Sequence, residues 1–151
     1  MPGKEKAEKT VAEEIAEKKV AEAEATAEKA CLELFTWFNN EILTKDATKN
    51  SPEKVFTPDI AQKIQEQTNK CSSKIGRNNG IYSKIRKMVM ILSLIAKRPN
   101  QFNSIMSNHS SKWANHALSE ELKKQKGTSM LWGAVRTFED RLQELKSPKK
   151  N

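Results

Sequence analysis

The sequence predicts an all-α protein, a single small helical bundle of about five to six helices with a long protruding N-terminal helix. Apolar residues recur with helical spacing along most of the 151 residues. Five glycines, five prolines and few clusters of β-branched residues argue against a sheet protein. We expect three parts: residues 1–30 as a charged helical arm, residues 31–146 as a helical core domain, and residues 147–151 as a basic tail.

The arm is predicted to begin its helix at Thr10, which forms a capping box with Glu13. Alanine, glutamate and lysine dominate residues 11–30, and all three are strong helix formers. Such a helix buries little surface alone, so it is either a solvated helix that frays at its start or an arm lying on a neighbouring subunit or on nucleic acid. Its thin apolar stripe is predicted to comprise Val11, Ile15, Val20, Ala23, Ala27 and Cys31.

The helix is predicted to enter the core without a break, because residues 31–43 are apolar around most of the helix circumference. A polar loop is expected at residues 44–56, with a single turn beginning at Ser51. The next helix begins at Thr57, since this threonine is followed by a proline and an aspartate that suit the first helical turn.

The remaining helices are predicted in the same way, from periodic apolar residues that lie between turn residues. Residues 76–80 contain two glycines and two asparagines, so they end one helix and make the next an antiparallel neighbour. Residues 81–98 are apolar nearly all round, which predicts the central helix of the bundle. A short helix is expected at residues 100–108, another at residues 111–126, and a last, strongly periodic one at residues 129–146.

Positive charge is concentrated in residues 67–119, where nine basic residues are accompanied by no aspartate or glutamate. A solvated lysine face is the usual explanation of such a pattern, but the lack of local carboxylates favours binding to a polyanion. Lys97 and Arg98 also complement the dipole at a helix C-terminus, which gives them a structural role as well. The candidate nucleic-acid-binding residues are Lys63, Lys70, Lys74, Arg77, Lys84, Arg86, Lys87, Lys97, Arg98 and Lys112.

The predicted function is non-catalytic, largely sequence-independent binding of nucleic acid through its phosphates, in a structural protein of the nucleoprotein, coat or packaging type. Lysine outnumbers arginine and no recognition helix is evident, which favours backbone contacts over base readout. Self-association is expected through residues 10–31. The alternative is a helical protein–protein adaptor or scaffold that uses the arm as a coiled-coil strand and the basic face for an acidic partner.

The basic tail adds one short resemblance. Ser147, Pro148, Lys149 and Lys150 form an S-P-K-K element that resembles those of some linker-histone and sperm-histone tails, which lie in A·T-rich minor grooves. A basic helical domain with a long N-terminal helical arm is also similar in kind to the nucleic-acid-wrapping coat proteins of filamentous viruses. Both likenesses imply DNA or RNA as the partner.

Other function classes find little support. His109 and His116 have no acidic neighbour to orient them, and the sequence contains no phosphate-binding glycine loop, nucleophile elbow or zinc-ligand set, so we expect no enzyme, metal, cofactor or small-molecule substrate. Cys31 and Cys71 are expected to be buried thiols, although one disulfide is arithmetically possible. The longest apolar run, residues 88–96, is far shorter than the ~20 residues of a membrane span. With no signal peptide evident, the protein is predicted to be soluble and intracellular, in the cytoplasm, the nucleus or a virion.

Overall fold

The structure, a computed structural model, describes residues 10–76, 81–113 and 129–146. These ranges contain no β-strand, and their helices pack around one hydrophobic core, which confirms the predicted all-α fold. Three short irregular helices complete the described part: a π-helix at Phe38–Ile42 and 3-10 helices at Ala47–Lys49 and Pro99–Gln101. The six α-helices are α1 (Val11–Trp37), α2 (Pro52–Val55), α3 (Pro58–Ile75), α4 (Ile81–Lys97), α5 (Phe102–Trp113) and α6 (Ser129–Lys146).

Helix α1 is the long N-terminal helix that the sequence predicts. It begins at the predicted cap, where the backbone N–H of Glu13 donates to Oγ1 of Thr10 over 3.1 Å. Every residue from 11 to 26 is exposed, and Ala27 is the first buried residue. At 1.5 Å per residue, the exposed arm (residues 10–26) projects roughly 25 Å beyond the core.

The end of α1 widens into the π-helix, a feature that sequence periodicity did not reveal. Its residue Asn39 is buried, and Nδ2 of Asn39 donates to the backbone carbonyl of Ala134 over 2.9 Å. The guanidinium of Arg141 donates in return to the carbonyl of Asn39. These two hydrogen bonds join the π-helix to α6, residues about 95 positions away in the chain.

The aromatic centre of the core lies between α1 and α6. Phe35 and Phe138 meet edge to face with ring centroids 4.9 Å apart, and Phe38 lies 5.9 Å from Phe138. All three rings are fully buried. Since buried aromatic pairs contribute beyond the area they remove from water, this cluster fixes the C-terminal helix to the arm-bearing helix.

Helices α3 and α4 form an antiparallel hairpin. The predicted central helix, α4, packs chiefly on α3 and more weakly on α5 and α1, whereas α1 contacts α3, α4 and α6. At the start of α3, the Ile60 N–H donates to Oγ1 of Thr57 over 3.4 Å. Gly76 ends α3 with φ near +60°, in the left-handed region that favours glycine. Nη1 of Arg86 in α4 donates to the Gly76 carbonyl over 2.9 Å and so caps the end of α3.

The C-terminal half departs from the prediction at one described position. The expected boundary between a helix at 100–108 and another beginning at 111 is wrong, because α5 runs continuously from Phe102 to Trp113. Residues 114–126 of the second predicted helix lie outside the described residues. Helix α6, in contrast, has the predicted bounds.

Candidate nucleic-acid interface

The candidate cations that the structure describes all have exposed side chains. Exposure leaves an ammonium or guanidinium group hydrated and able to reach a phosphate from outside the bundle. Arg77 lies outside the described residues, and so does the side chain of Lys112. The exposed cations are Lys63, Lys70, Lys74, Lys84, Arg86, Lys87, Lys97 and Arg98.

One group of cations lies along the edge of α3 that adjoins α1. Lys70 and Lys74 line a shallow pocket of about 40 Å³ together with Glu33 of α1. Lys63 lies seven residues before Lys70, which places it within roughly 20° of the same line on the helix. We call Lys63, Lys70 and Lys74 the α3 lysine row. Because one carboxylate shares the pocket with two ammonium groups, the net charge at the pocket is positive but is reduced by Glu33.

The opposite edge of α3 faces α4 across a wider groove of about 340 Å³. We call it the α3–α4 groove. Nε2 of Gln65 spans it at one point and donates to the backbone carbonyl of Ser93 over 3.1 Å. Its lining includes Gln65, Asn69 and Ser72 from α3, and Met90, Ser93 and Lys97 from α4.

Three of the predicted cations therefore lie on two edges of one hairpin rather than on one continuous face, with Lys70 and Lys74 beside α1 and Lys97 at the α3–α4 groove. Lys97 borders the α3–α4 groove, whereas Lys70 lies roughly 150° around α3 from the groove residues Gln65 and Ser72. Lys70 and Lys74 line the same pocket, as their spacing of four residues on one helix requires. Helical spacing gave no relation between α3 and α4, because the rotation of each helix about its axis is set by core packing.

Arg86 has a structural task that charge patterning did not predict. Its hydrogen bond to the Gly76 carbonyl satisfies one of the backbone acceptors left open at the end of α3. The remaining N–H groups of its guanidinium stay available, since arginine carries five donors. Arg86 thus stabilises the hairpin through this hydrogen bond, in addition to being a candidate interface residue.

Two thiols lie beneath the α3 lysine row. Cys31 of α1 and Cys71 of α3 are both free and buried, and Cys71 forms part of the pocket that Lys70 and Lys74 line. The Cys31 thiol donates a hydrogen bond to Cys71, which together with burial raises the pKa of Cys31 well above its usual value. The same hydrogen bond, together with nearby Lys74, lowers the pKa of Cys71, although burial opposes the shift. Both buried thiols serve as small core residues between the two helices.

Sequence reasoning missed the α3–α4 groove as a surface. Its signal was present, because polar amide and hydroxyl side chains recur in α3 at Gln65, Asn69 and Ser72, with the i, i+4, i+7 spacing of one helix face. An exposed methionine, Met90, with 60% of its surface accessible, stands opposite them. The groove is therefore a mixed polar and apolar surface bordered by positive charge.

Within the described ranges, no group of three or more histidine, cysteine, aspartate or glutamate side chains is arranged to hold a metal ion. Nor does any helix there have the length and apolar character needed to cross a lipid bilayer. Comparisons of the chain with known protein families, with curated proteins and with solved structures found no match.

Proposed function

We propose that this protein binds nucleic acid without catalysis and largely without regard to sequence, as a structural protein of the nucleoprotein, coat or packaging type. The observation that carries the proposal is the imbalance of charge in residues 67–119, where nine cations and no carboxylate occur. The cations of this window whose side chains are described are exposed on the α3–α4 hairpin and just beyond it. Such a surface attracts a polyanion and releases the counterions condensed on it.

Phosphate contact, rather than base readout, fits the residue types. Lysine is a flexible point charge that suits phosphate contact, whereas bidentate arginine is the more common reader of guanine. Lys97 lies on a different edge of the hairpin from Lys70 and Lys74, so these three lysines do not form one continuous row. We therefore expect binding that tolerates changes of sequence.

Paired charge-matched variants test the α3 lysine row. Lys70→Gln/Lys74→Gln removes two of its ammonium groups, and Lys45→Gln/Lys54→Gln removes two exposed lysines outside residues 67–119 while giving the same net charge. If both row lysines contact phosphates, the plot of log K against log salt on duplex DNA becomes less steep in the first variant, by about 2 units of slope. The control is expected to keep the wild-type slope.

Two results would count against this assignment. Equal weakening by both double variants means that only net charge matters and that no interface is formed by the row. A changed preference among DNA sequences, instead of uniform weakening, means that these lysines lie next to bases rather than phosphates.

A second function, a helical protein–protein adaptor, is favoured by a different observation. Val11, Ile15 and Val20 of the exposed arm are large apolar side chains that remain at least half accessible. Val11 and Ile15 lie on one side of the helix and Val20 on the other, so they offer two separate apolar contacts to a protein partner. The adaptor requires an acidic protein partner for the basic hairpin, and its binding would persist after nuclease treatment of the sample.

A further inference from the structure

The exposed apolar side chains of the described residues are concentrated on two surfaces. Three of the five large ones, Val11, Ile15 and Val20, lie on the exposed arm, and a fourth, Met90, lies at the α3–α4 groove. The fifth, Met130, lies at the start of α6. The arm thus exposes three large apolar side chains, and the mixed polar and apolar groove exposes one.

The arm presents only one of its valines on the side that continues the buried face of α1. Val20 lies seven residues before Ala27, so it points within roughly 20° of the direction in which Ala27 enters the core. Val11 lies nine residues before Val20 and points to the opposite side of the helix. The thin stripe expected from sequence is therefore split, and Val20 is the apolar residue that can continue the core face beyond the core.

The arm cannot reach the groove of its own chain. Helix α1 runs from Val11 to Trp37 without a glycine or a proline, and it forms one continuous helix over those 27 residues. Every residue from 11 to 26 is exposed, and none of them lines the groove. An occupant of the groove that resembles this arm must therefore come from another molecule.

Charge complementarity favours the arm of a second copy as that occupant. Residues 10–26 contain five glutamates and two lysines, whereas Lys97 is the charged residue in the groove lining. An amphipathic helix lying in a groove between two helices is a common mode of recognition.

We propose that the exposed arm of one copy docks, through its Val20 side, into the α3–α4 groove of the next copy. The contact joins two different surfaces, so repetition produces a ring or an open filament rather than a closed two-fold dimer. One helix in one groove is a small interface, which favours reversible, concentration-dependent association. This inference deepens the self-association through residues 10–31 that the sequence predicts for a packaging protein. Its test uses nuclease-treated protein so that nucleic acid plays no role in the outcome.

Cysteine cross-linking identifies which surfaces meet. Chains carrying Val20→Cys are mixed with differently tagged chains carrying Met90→Cys, or Met130→Cys as the control, and oxidised mildly with copper–phenanthroline. The native Cys31 and Cys71 are buried, and wild-type protein treated in parallel measures their contribution. We expect severalfold more mixed dimer with Met90→Cys than with Met130→Cys.

Three outcomes are informative. A predominance of dimers between two Val20→Cys chains would overturn the inference in favour of arm–arm pairing, and equal yields at Met90 and Met130 would overturn it in favour of random collision. Solution mass provides a second measurement: Val20→Lys should abolish the concentration-dependent increase in mass, while Val11→Lys should preserve it. Equal loss in both lysine variants would also contradict docking through the Val20 side.

The two proposals fail in different ways. If nuclease-treated protein stays monomeric at every concentration, the arm–groove contact is refuted, yet salt-dependent binding of DNA by the monomer remains testable. If association occurs but DNA binding is absent, the arm–groove contact stands and the nucleic-acid proposal falls.

Discussion

Replacing Glu139 by glutamine should stabilise the protein at alkaline pH and leave its stability unchanged at acidic pH. Glu139 of α6 is partly buried, and its Oε1 atom is shielded from solvent without a hydrogen-bond partner among the described residues. Burial, and secondarily the charge of Asp140, raise the pKa of Glu139 from 4.5 to about 7, although Arg136 opposes the effect. Between pH 4.5 and pH 7, the folded protein therefore keeps a proton on Glu139 that the unfolded chain has released.

The sign and size of the effect follow from proton linkage. Between pH 4.5 and pH 7 the folded state binds more protons at Glu139 than the unfolded state, so the free energy of unfolding falls as pH rises through this window. The full difference in pKa corresponds to at most ~3 kcal/mol. Because the side chain keeps part of its exposure, solvent screening reduces the expected loss to ~1–2 kcal/mol.

Urea unfolding at pH 4 and pH 8 measures this difference. Glu139→Gln keeps a neutral side chain at both pH values. Its free energy of unfolding should therefore exceed that of the wild type by ~1–2 kcal/mol at pH 8 and equal it at pH 4. Glu53→Gln, which removes a carboxylate from an exposed site on α2, should change stability by less than ~0.5 kcal/mol at either pH. A Glu139→Gln effect that is independent of pH, or a destabilisation at pH 8, would refute the reasoning.

Three further predictions concern the core and the hairpin. Phe138→Ala should lower the free energy of unfolding by ~3–5 kcal/mol because it empties the centre of a fully buried aromatic cluster, whereas Met130→Ala on the exposed side of α6 should cost less than ~0.5 kcal/mol in the same urea titration. Arg86→Ala should cost ~1 kcal/mol, since it removes the hydrogen bond that caps α3, and an unchanged denaturation midpoint would mean that water replaces the cap. Cys31 and Cys71 should resist a thiol reagent at neutral pH and react as two thiols per chain after denaturation; rapid reaction of the native protein would contradict their burial.

Local signals accounted for much of the fold. The caps at Thr10 and Thr57 and the stop at Gly76 are fixed by side-chain and backbone chemistry within a few residues, so the bounds of α1 at its start and of α3 were readable from sequence. The π-helix at Phe38–Ile42 was not readable from sequence, nor were the hydrogen bonds that join its residue Asn39 to Ala134 and Arg141 of α6. Such contacts between distant segments leave no periodic trace in the chain.

The sequence indicated which cations to consider for the candidate interface, but not how they are arranged on neighbouring helices. Spacing placed the α3 lysine row along one line of its helix, because 3.6 residues per turn is a local property. It did not place Lys97 at a groove on the other edge, nor Glu33 of α1 beside Lys70, since both depend on how three helices are rotated against each other. The nucleic-acid-binding role of these cations remains a prediction.

Titration of nucleic-acid affinity against salt tests the central claim most directly. Nuclease-treated protein is mixed with random-sequence duplex DNA, and its dissociation constant is measured between 50 and 200 mM salt. If about five phosphates are neutralised, log K falls against log salt with a slope of about −4 to −5. A dissociation constant that does not change with salt concentration, or no binding at 50 mM salt, would contradict the claim that the exposed cations bind a polyanion.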